Sequence, residues 1–322
     1  MFPEIASRGI TTIIHLGDLV DRRKFINFNT LSAMNQSFVA KLAPYDVHII
    51  AGNHDVFYKS TNQLNSLDLL LKSNDNITVH TETTTVNIYG IPLLFVPWIN
   101  QQNIDISLQT INHSTSQLCF GHLELVGFEM FKGSMCDHGL SPSVFDRFDM
   151  VFSGHFHHKS SKGNIHYLGA PYQMTWADYG FDRGFHVFDL NTRELEFIKN
   201  PFQPFVRLAY NDTSKTTEQL IEWANRLDVE DVFCKLDVLN KTNPYAFDLI
   251  VDIIESKRPY DLKINEVVDA ENFTPVANCS YKDTQTLIIN AVDQLELTTD
   301  KSELKRLLTQ LYYEALDIEI NN

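Results

Sequence analysis

Two imidazoles one residue apart leave an apolar run at Val151-Phe152-Ser153-Gly154-His155-Phe156-His157-His158. If residues 149–152 form a buried strand, Gly154 begins the turn that leaves it, and His155 and His157 project from that turn. Side chains two apart on an extended segment lie on one side, which puts both rings within reach of neighbouring metal ions. Such a pair gains meaning only from partners elsewhere, and three other stretches share its grammar. Residues 10–16 run into Gly17-Asp18-Leu19-Val20-Asp21, residues 46–51 into Gly52-Asn53-His54-Asp55, and residues 117–120 into Gly121-His122-Leu123-Glu124. Each is an apolar strand, then Gly, then a good ligand for a hard metal. Polar groups at the carboxyl ends of strands in an open sheet converge on one crevice, and glycine allows the backbone to turn sharply there.

Together these stretches supply Asp18, Asn53, His54, His122, His155 and His157. A two-metal centre needs a carboxylate that bridges both ions and offsets their repulsion, and Asp18 suits that place. Asn53 can ligate through its amide oxygen, and neutral imidazoles complete the shells. Two such ions bind a phosphoryl oxygen, lower the pKa of a water and stabilise attacking and leaving oxygens. Ligation by N and O without thiolate suits Mn²⁺, Fe²⁺ or Zn²⁺ better than Mg²⁺. His54 sits beside a ligand and fits a proton donor to the leaving oxygen or a holder of a phosphate oxygen; its other reading is a turn histidine bonded to Asp55. Asp21 and Asp55 are supporting groups behind the ligands, with a helix cap as Asp21's alternative. His138 and His158 read as solvated, His15 as packed within its strand, and Trp98 and Trp176 as core or loop anchors.

The composition sets limits on partners. A formal charge of −15 over 322 residues excludes an electrostatic footprint of the usual nucleic-acid-binding kind. A polyanionic substrate would need bound cations, a local basic patch or a partner subunit. Four scattered cysteines (Cys119, Cys136, Cys234 and Cys279) argue against a disulfide framework and fit a reducing cytoplasm. No apolar run approaches the roughly 18 residues of a membrane span, and Glu4 and Arg8 interrupt any signal-peptide core.

The elements that must carry the ligands follow from periodicity. Residues 1–8 read as a helix closed by Gly9, residues 10–16 as a buried parallel strand, and residues 28–42 as an amphipathic helix. Residues 46–51 form the next strand and residues 63–71 a helix. Residues 86–89 and 93–98 are strands about a turn at Gly90, and residues 165–171 and 184–190 are hairpin strands. From about residue 201 a β-α-β-α alternation without ligand punctuation suggests a small α+β domain. A polar stretch then leads to a last helix with Leu304, Leu307, Leu308, Leu311, Tyr312, Ala315 and Leu316 on one stripe.

In order, the four Gly-ligand motifs resemble those of the calcineurin-like metallophosphoesterases, and are most similar to the SbcD-type double-strand-break nucleases, including the recombination endonuclease subunits of tailed phages. The Leu168-Gly169-Ala170-Pro171-Tyr172 turn and Arg183-Gly184-Phe185 support this. The resemblance implies an α/β fold: a two-sheet sandwich flanked by helices over residues 1–200, a small α+β DNA-capping domain over 201–271, and a C-terminal helical segment over 272–322 that docks on the coiled coil of an SbcC-type ATPase. It implies that Asp18 bridges two divalent ions, Mn²⁺ first among them. Asn53, His122 and His155 would complete the second ion's shell, His157 would bind the first ion, and His54 would be the catalytic histidine. A homodimer within the complex and DNA, as double-stranded ends or single strands, are the implied partners.

One departure stands out: the family opens on a strand carrying Asp-x-His that ligates the first ion, and no such motif precedes Gly17-Asp18. The expectation is an N-terminally shortened chain lacking the first β-strand, with a weakened first site and little nuclease activity. Two rival functions are a phosphatase or small phosphodiesterase of the same superfamily, and a non-catalytic scaffold for DNA ends or the ATPase.

Overall fold

The computed structural model describes residues 1–131 and 134–266, with Val292, Lys301, Leu304 and Leu308 beyond them. The apolar stripe of residues 304–316 otherwise lies outside the described residues. Strands β1 (Thr12–His15), β2 (Asp46–Ile50) and β3 (Ile77–His80) form a parallel sheet in that order. A second sheet contains β4 (Thr84–Ile88), β5 (Ile91–Val96) and β6 (Leu118–Gly121). After a short hairpin of β7 (Glu129–Phe131) and β8 (Ser134–Met135) it adds β9 (Met150–Ser153), β10 (Ser160–Lys162) and β11 (Ile165–Tyr167). Its order is β10-β11-β9-β6-β5-β4, with the inner strands parallel and each edge strand antiparallel to its neighbour.

Alternation along these strands divides the apolar residues into three layers. Ile50, Leu93, Phe95, Leu118, Phe120 and Phe152 fill the space between the sheets. Register aligns Phe95 with Phe120 and Phe120 with Phe152, so their rings form a ladder with centroids 5.8 and 5.1 Å apart. The alternate residues Leu94, Val96, Cys119 and Val151 face outward, where Ile111 of a helix covers them. On the far side of the small sheet, Val47 and Ile49 pack with Ile5, Leu42, Leu67 and Leu71. The chain is thus the two-sheet sandwich with flanking helices that the resemblance implied.

The helices follow their local chemistry. Helix α1 (Phe2–Ser7) carries Pro3 in its first turn and ends before Gly9, which enters the left-handed region at φ +65°. The stripe of residues 28–42 is one rod in three parts: α2 (Phe28–Met34), a π-helical turn (Asn35–Val39) and α3 (Ala40–Leu42). Asn27 caps its start by accepting from the Thr30 amide at 2.8 Å. Helix α4 (Ser66–Leu71) is capped by Asn65. Strand β3 and helix α5 (Ile104–His113) are elements the periodicity did not mark. The two anticipated hairpin strands do not pair with each other. β11 pairs with β10 and β9, while β12 (Gly184–Phe188) pairs with β13 (Leu195–Lys199).

Residues 205–266 build a parallel sheet of β14 (Phe205–Asn211), β15 (Phe233–Asn240) and β16 (Asp261–Glu266). Helix α6 (Thr217–Arg226) links the first pair and helix α7 (Pro244–Ser256) the second. A Thr216–Gln219 capping box opens α6, and Asn243 followed by Pro244 opens α7, both strong start signals. Tyr210, Leu220, Leu236, Phe247, Ile250 and Ile254 form its own core. It meets the sandwich at Trp176, whose ring lies 5.0 Å from Phe205 and carries Lys235 Nζ at 4.1 Å.

Between the sheets, His48 Nδ1 and His80 Nε2 approach to 3.1 Å, and the two rings stack at 5.3 Å beside Phe95. Burial lowers both pKa values, that of His80 from 6.5 to about 4. The folded chain therefore holds fewer protons than the unfolded chain between those limits, and stability falls as pH drops from about 6.5 to about 4. We expect a loss on the order of 2 kcal/mol across this window by urea unfolding, and a shallower fall in His80→Gln. Identical pH dependence in both proteins would remove the pair as its cause.

Candidate metal centre

The four Gly-ligand loops leave neighbouring strands of two facing sheets, not the edge of one open sheet. β1 pairs with β2, and β6 pairs with β9 in a register that sets Gly121 beside Ser153. The Gly154 amide donates to Gly121 O at 3.0 Å, and His122 Nδ1–H donates to Leu16 O at 2.7 Å, which joins the sheets. The glycines serve close approach more than turning. Only Gly17 has a left-handed φ, +91°. A Cβ on Gly52 would lie 2.2 Å from Asp18 Oδ1, and one on Gly154 2.5 Å from Leu16 O. The left-handed residues are instead Asp18 (φ +55°) and His155 (φ +76°), a strained state for side chains with a Cβ.

Asp18, His122 and His155 bring one ligand atom each within 4.8 Å of one another. Asp18 Oδ2 lies 3.2 Å from His122 Nε2. Asn53 Oδ1 lies 2.9 Å from both His122 Nε2 and His155 Nδ1. Because His122 Nδ1 must donate to a carbonyl, a neutral ring turns the lone pair of Nε2 toward two oxygens. Such a convergence of lone pairs demands positive charge, from a proton or a metal ion. Burial works to lower the His122 pKa, but the Asp18 carboxylate outweighs it and the net shift is upward. Burial likewise works to raise the Asp18 pKa, yet His122 and the His54 amide, which donates to Oδ1 at 2.8 Å, hold it well below the usual carboxylate range. A carboxylate, an amide oxygen and two imidazoles, all deeply set and without a thiolate, fit a divalent ion of the Mn²⁺, Fe²⁺ or Zn²⁺ type.

His54 is half-buried beside this group. Its Nδ1–H donates to the carbonyl of Asp21 at 2.6 Å, not to Asp55, so the ring is oriented by the first ligand loop. Asp21 thus acts through its backbone; its side chain is 90% exposed. Asp55, fully buried, accepts the amides of Asp18, Leu19 and Gly52 at 2.7, 2.9 and 2.9 Å. Burial, with the charge of Asp18, pushes its pKa up to about 6.

His157 stands apart. The turn after Gly154 is not a strand, and His157 is exposed where His155 is half-buried. It is not a member of the 4.8 Å group, although the charges of Asp18 and His54 reach it. The turn is held from behind by Arg183, which donates to His157 O and pairs with buried Asp178. His158, expected in solvent, is buried against them, with Nε2 accepting from Arg183 Nη2 at 3.2 Å. His15 is packed as its strand position implied, with its ring 6.2 Å from Phe38.

Three contributors escaped the sequence. Glu124 Oε1 lies 3.5 Å from His155 Nε2 and 3.3 Å from His138 Nε2; it was visible as the last residue of Gly-His-Leu-Glu. Trp98 places its ring 5.3 Å from His155 and 6.2 Å from His122, walling the centre. The Asp178–Arg183 pair had only the Arg-Gly-Phe signal.

A calcineurin-like phosphoesterase profile matches residues 1–159. Exonuclease subunit 1 of Enterobacteria phage T4 is 32% identical over 309 residues, which span 95% of this chain and 88% of that protein. A solved archaeal phosphodiesterase overlays with a TM-score of 0.32 at 12% identity, over 62% of this chain and 88% of its own. The chain belongs to the calcineurin-like phosphoesterase family.

Proposed function

We propose that the chain is the nuclease subunit of a DNA recombination and repair complex, hydrolysing phosphodiester bonds with divalent metal. The observation that carries this is the convergence of Asp18, Asn53, His122 and His155 beside His54. The relative named as an exonuclease subunit favours a nucleic acid over a phosphoprotein. Bound divalent ions, Mn²⁺ in this reading, would supply Lewis acidity to a phosphoryl oxygen and acidify the attacking water. Asp18, Asn53, His122 and His155 would hold one ion, and Asp18 with His157 would hold the other. His54, fixed through Nδ1 on the Asp21 carbonyl, presents Nε2 to protonate the leaving oxygen.

The division of labour along the chain is part of the same proposal. Residues 1–200 carry the chemistry, residues 201–271 cap the centre and guide DNA, and residues 272–322 dock on an SbcC-type coiled-coil ATPase through the leucine stripe. The complex would pair two such subunits in the cytoplasm, a host cytoplasm if the chain is phage-encoded. Among the described residues no helix is long and apolar enough to cross a membrane.

The test uses linear DNA with Mn²⁺. Hydrolysis is expected to cease with EDTA, and His54→Ala to lower the rate by about 10²–10⁴ while Mn²⁺ binding, read by electron paramagnetic resonance, persists. His122→Ala should lose Mn²⁺ binding itself. An unchanged rate in His54→Ala would leave a scaffold, and efficient hydrolysis of an aryl monophosphate without DNA cleavage would leave a phosphatase. Removal of residues 301–322 should abolish co-purification with a coiled-coil ATPase and spare the hydrolysis of a small aryl phosphodiester. Retained co-purification would place the dock elsewhere.

A further inference from the structure

A protein of net charge −15 that acts on a polyanion needs a local source of attraction besides its metal ions. The segment after the first ligand loop supplies one. Arg22, Arg23 and Lys24 follow Asp21 without interruption, and Phe25 and Phe28 come next in the same stretch. Both rings face water: Phe25 is 56% exposed and Phe28 88%. Phe28 opens helix α2 and is not part of the stripe that packs on the small sheet. The Arg22 guanidinium sits 5.1 Å above the Phe25 ring, an arrangement that stiffens a flat cationic surface.

This stretch is fastened to the catalytic group. The Asp21 carbonyl accepts the His54 Nδ1–H at 2.6 Å, so whatever the segment holds is held in register with His54. Arg23 turns inward from it. Its Nη1 is sealed from solvent, and no acceptor among the described residues reaches it. Burial lowers the pKa of the guanidinium, and the charge of Asp18 works against that loss. A sealed guanidinium donor without an acceptor is costly, and beside a metal centre for phosphoesters the natural acceptor is a phosphate oxygen, to which the arginine fork is matched.

We propose that residues 22–28 form a grip for single-stranded nucleic acid, in which Arg23 closes on a backbone phosphate beside His54 while Phe25 and Phe28 stack on bases. Cations that follow the backbone and aromatic faces that take successive bases are the two components of sequence-tolerant strand binding. The inference rests on the reading of the chain as a nuclease and adds where the strand lies.

The test measures anisotropy of a fluorescein-labelled oligothymidylate with Mn²⁺ over a series of salt concentrations, in a His54→Ala background that binds without cutting. Added Arg23→Ala should weaken binding about tenfold and reduce the slope of log affinity against log salt by about 0.7, the loss of one phosphate contact on a single strand. Arg23→Lys should restore the slope but not the full affinity, because it returns the charge without the fork. Phe25→Ala with Phe28→Ala should weaken binding about tenfold or more at unchanged slope. Phe28→Ala alone, at a site where no packing is lost, should weaken it in the same direction. Mn²⁺ stoichiometry and thermal midpoints verify that each variant keeps its fold. Oligonucleotide binding unaltered in all of them overturns the grip alone. A parent chain that binds Mn²⁺ yet neither binds nor cuts any DNA overturns the nuclease reading, and the grip with it.

Discussion

The cluster of Asp18, His122 and His155 depends on one buried carboxylate that is not part of it. Asp55 accepts backbone amides from two loops, Gly52 in its own and Asp18 and Leu19 in the loop after β1. A hydrogen bond to a charged group is worth about 1.5–3 kcal/mol, and here three act together to hold the Asp18 backbone in the left-handed conformation that aims its side chain at His122. The same contact forces Gly17 and Gly52 so close that neither position tolerates a Cβ. Replacing the Asp55 oxygens with a group that also donates would push one amide away, and the Asp18 carboxylate would leave with it.

From that clamp the electrostatics follow. Two carboxylates, Asp18 and Asp55, are packed near each other away from water, a disposition that on its own would drive protons onto both. The burden falls on Asp55, whose pKa burial pushes up to about 6, while Asp18 stays ionised because His122 and the His54 amide face it. Ionisation is thus directed to the carboxylate that points at the ligand cluster. His122 in turn is oriented by the Leu16 carbonyl from the opposite sheet, so the ring that serves the centre is positioned by the packing of the sandwich itself. Arg183 does the corresponding task for the His155–His158 turn, anchored by Asp178 in a buried pair. Such pairs are poor sources of net stability but strict about geometry.

Much of this was legible in the chain because the motif residues obey local rules. Continuous apolar runs located β1, β2, β6 and β9 to within a residue or two, and the Gly-ligand punctuation marked Asp18, Asn53, His122 and His155, which the fold brings together. The reason assigned to the glycines was incomplete: the constraint at Gly52 and Gly154 is a neighbour from another strand, which no single segment can reveal. β3 went unmarked because Ile77-Thr78-Val79-His80 is short and mixed, and it is a strand only because β2 offers an edge. His158 looked solvated because its partners Asp178 and Arg183 are distant in sequence and their pairing is tertiary. The premise that His155 and His157 share one extended segment fails for a local reason. Period-two alternation holds on a strand, but β9 ends at Ser153 and His155 has a left-handed φ, so the alternation does not carry to His157.

The two histidines of this one motif are therefore held differently. His155 is locked by Asn53 on one nitrogen and faces Glu124 with the other, the arrangement that fixes tautomer and ring orientation in a ligand. His157 has its backbone carbonyl fixed by Arg183 and Ala170 but its ring turned to the exposed side, where it senses Asp18 and His54. A rigid ligand set and a freer imidazole therefore share one turn. The rigid set is complete within the sandwich. His54 and His157, both within reach of Asp18's charge, differ in the same way: His54 is fixed through Nδ1 on the Asp21 carbonyl, whereas His157 is exposed.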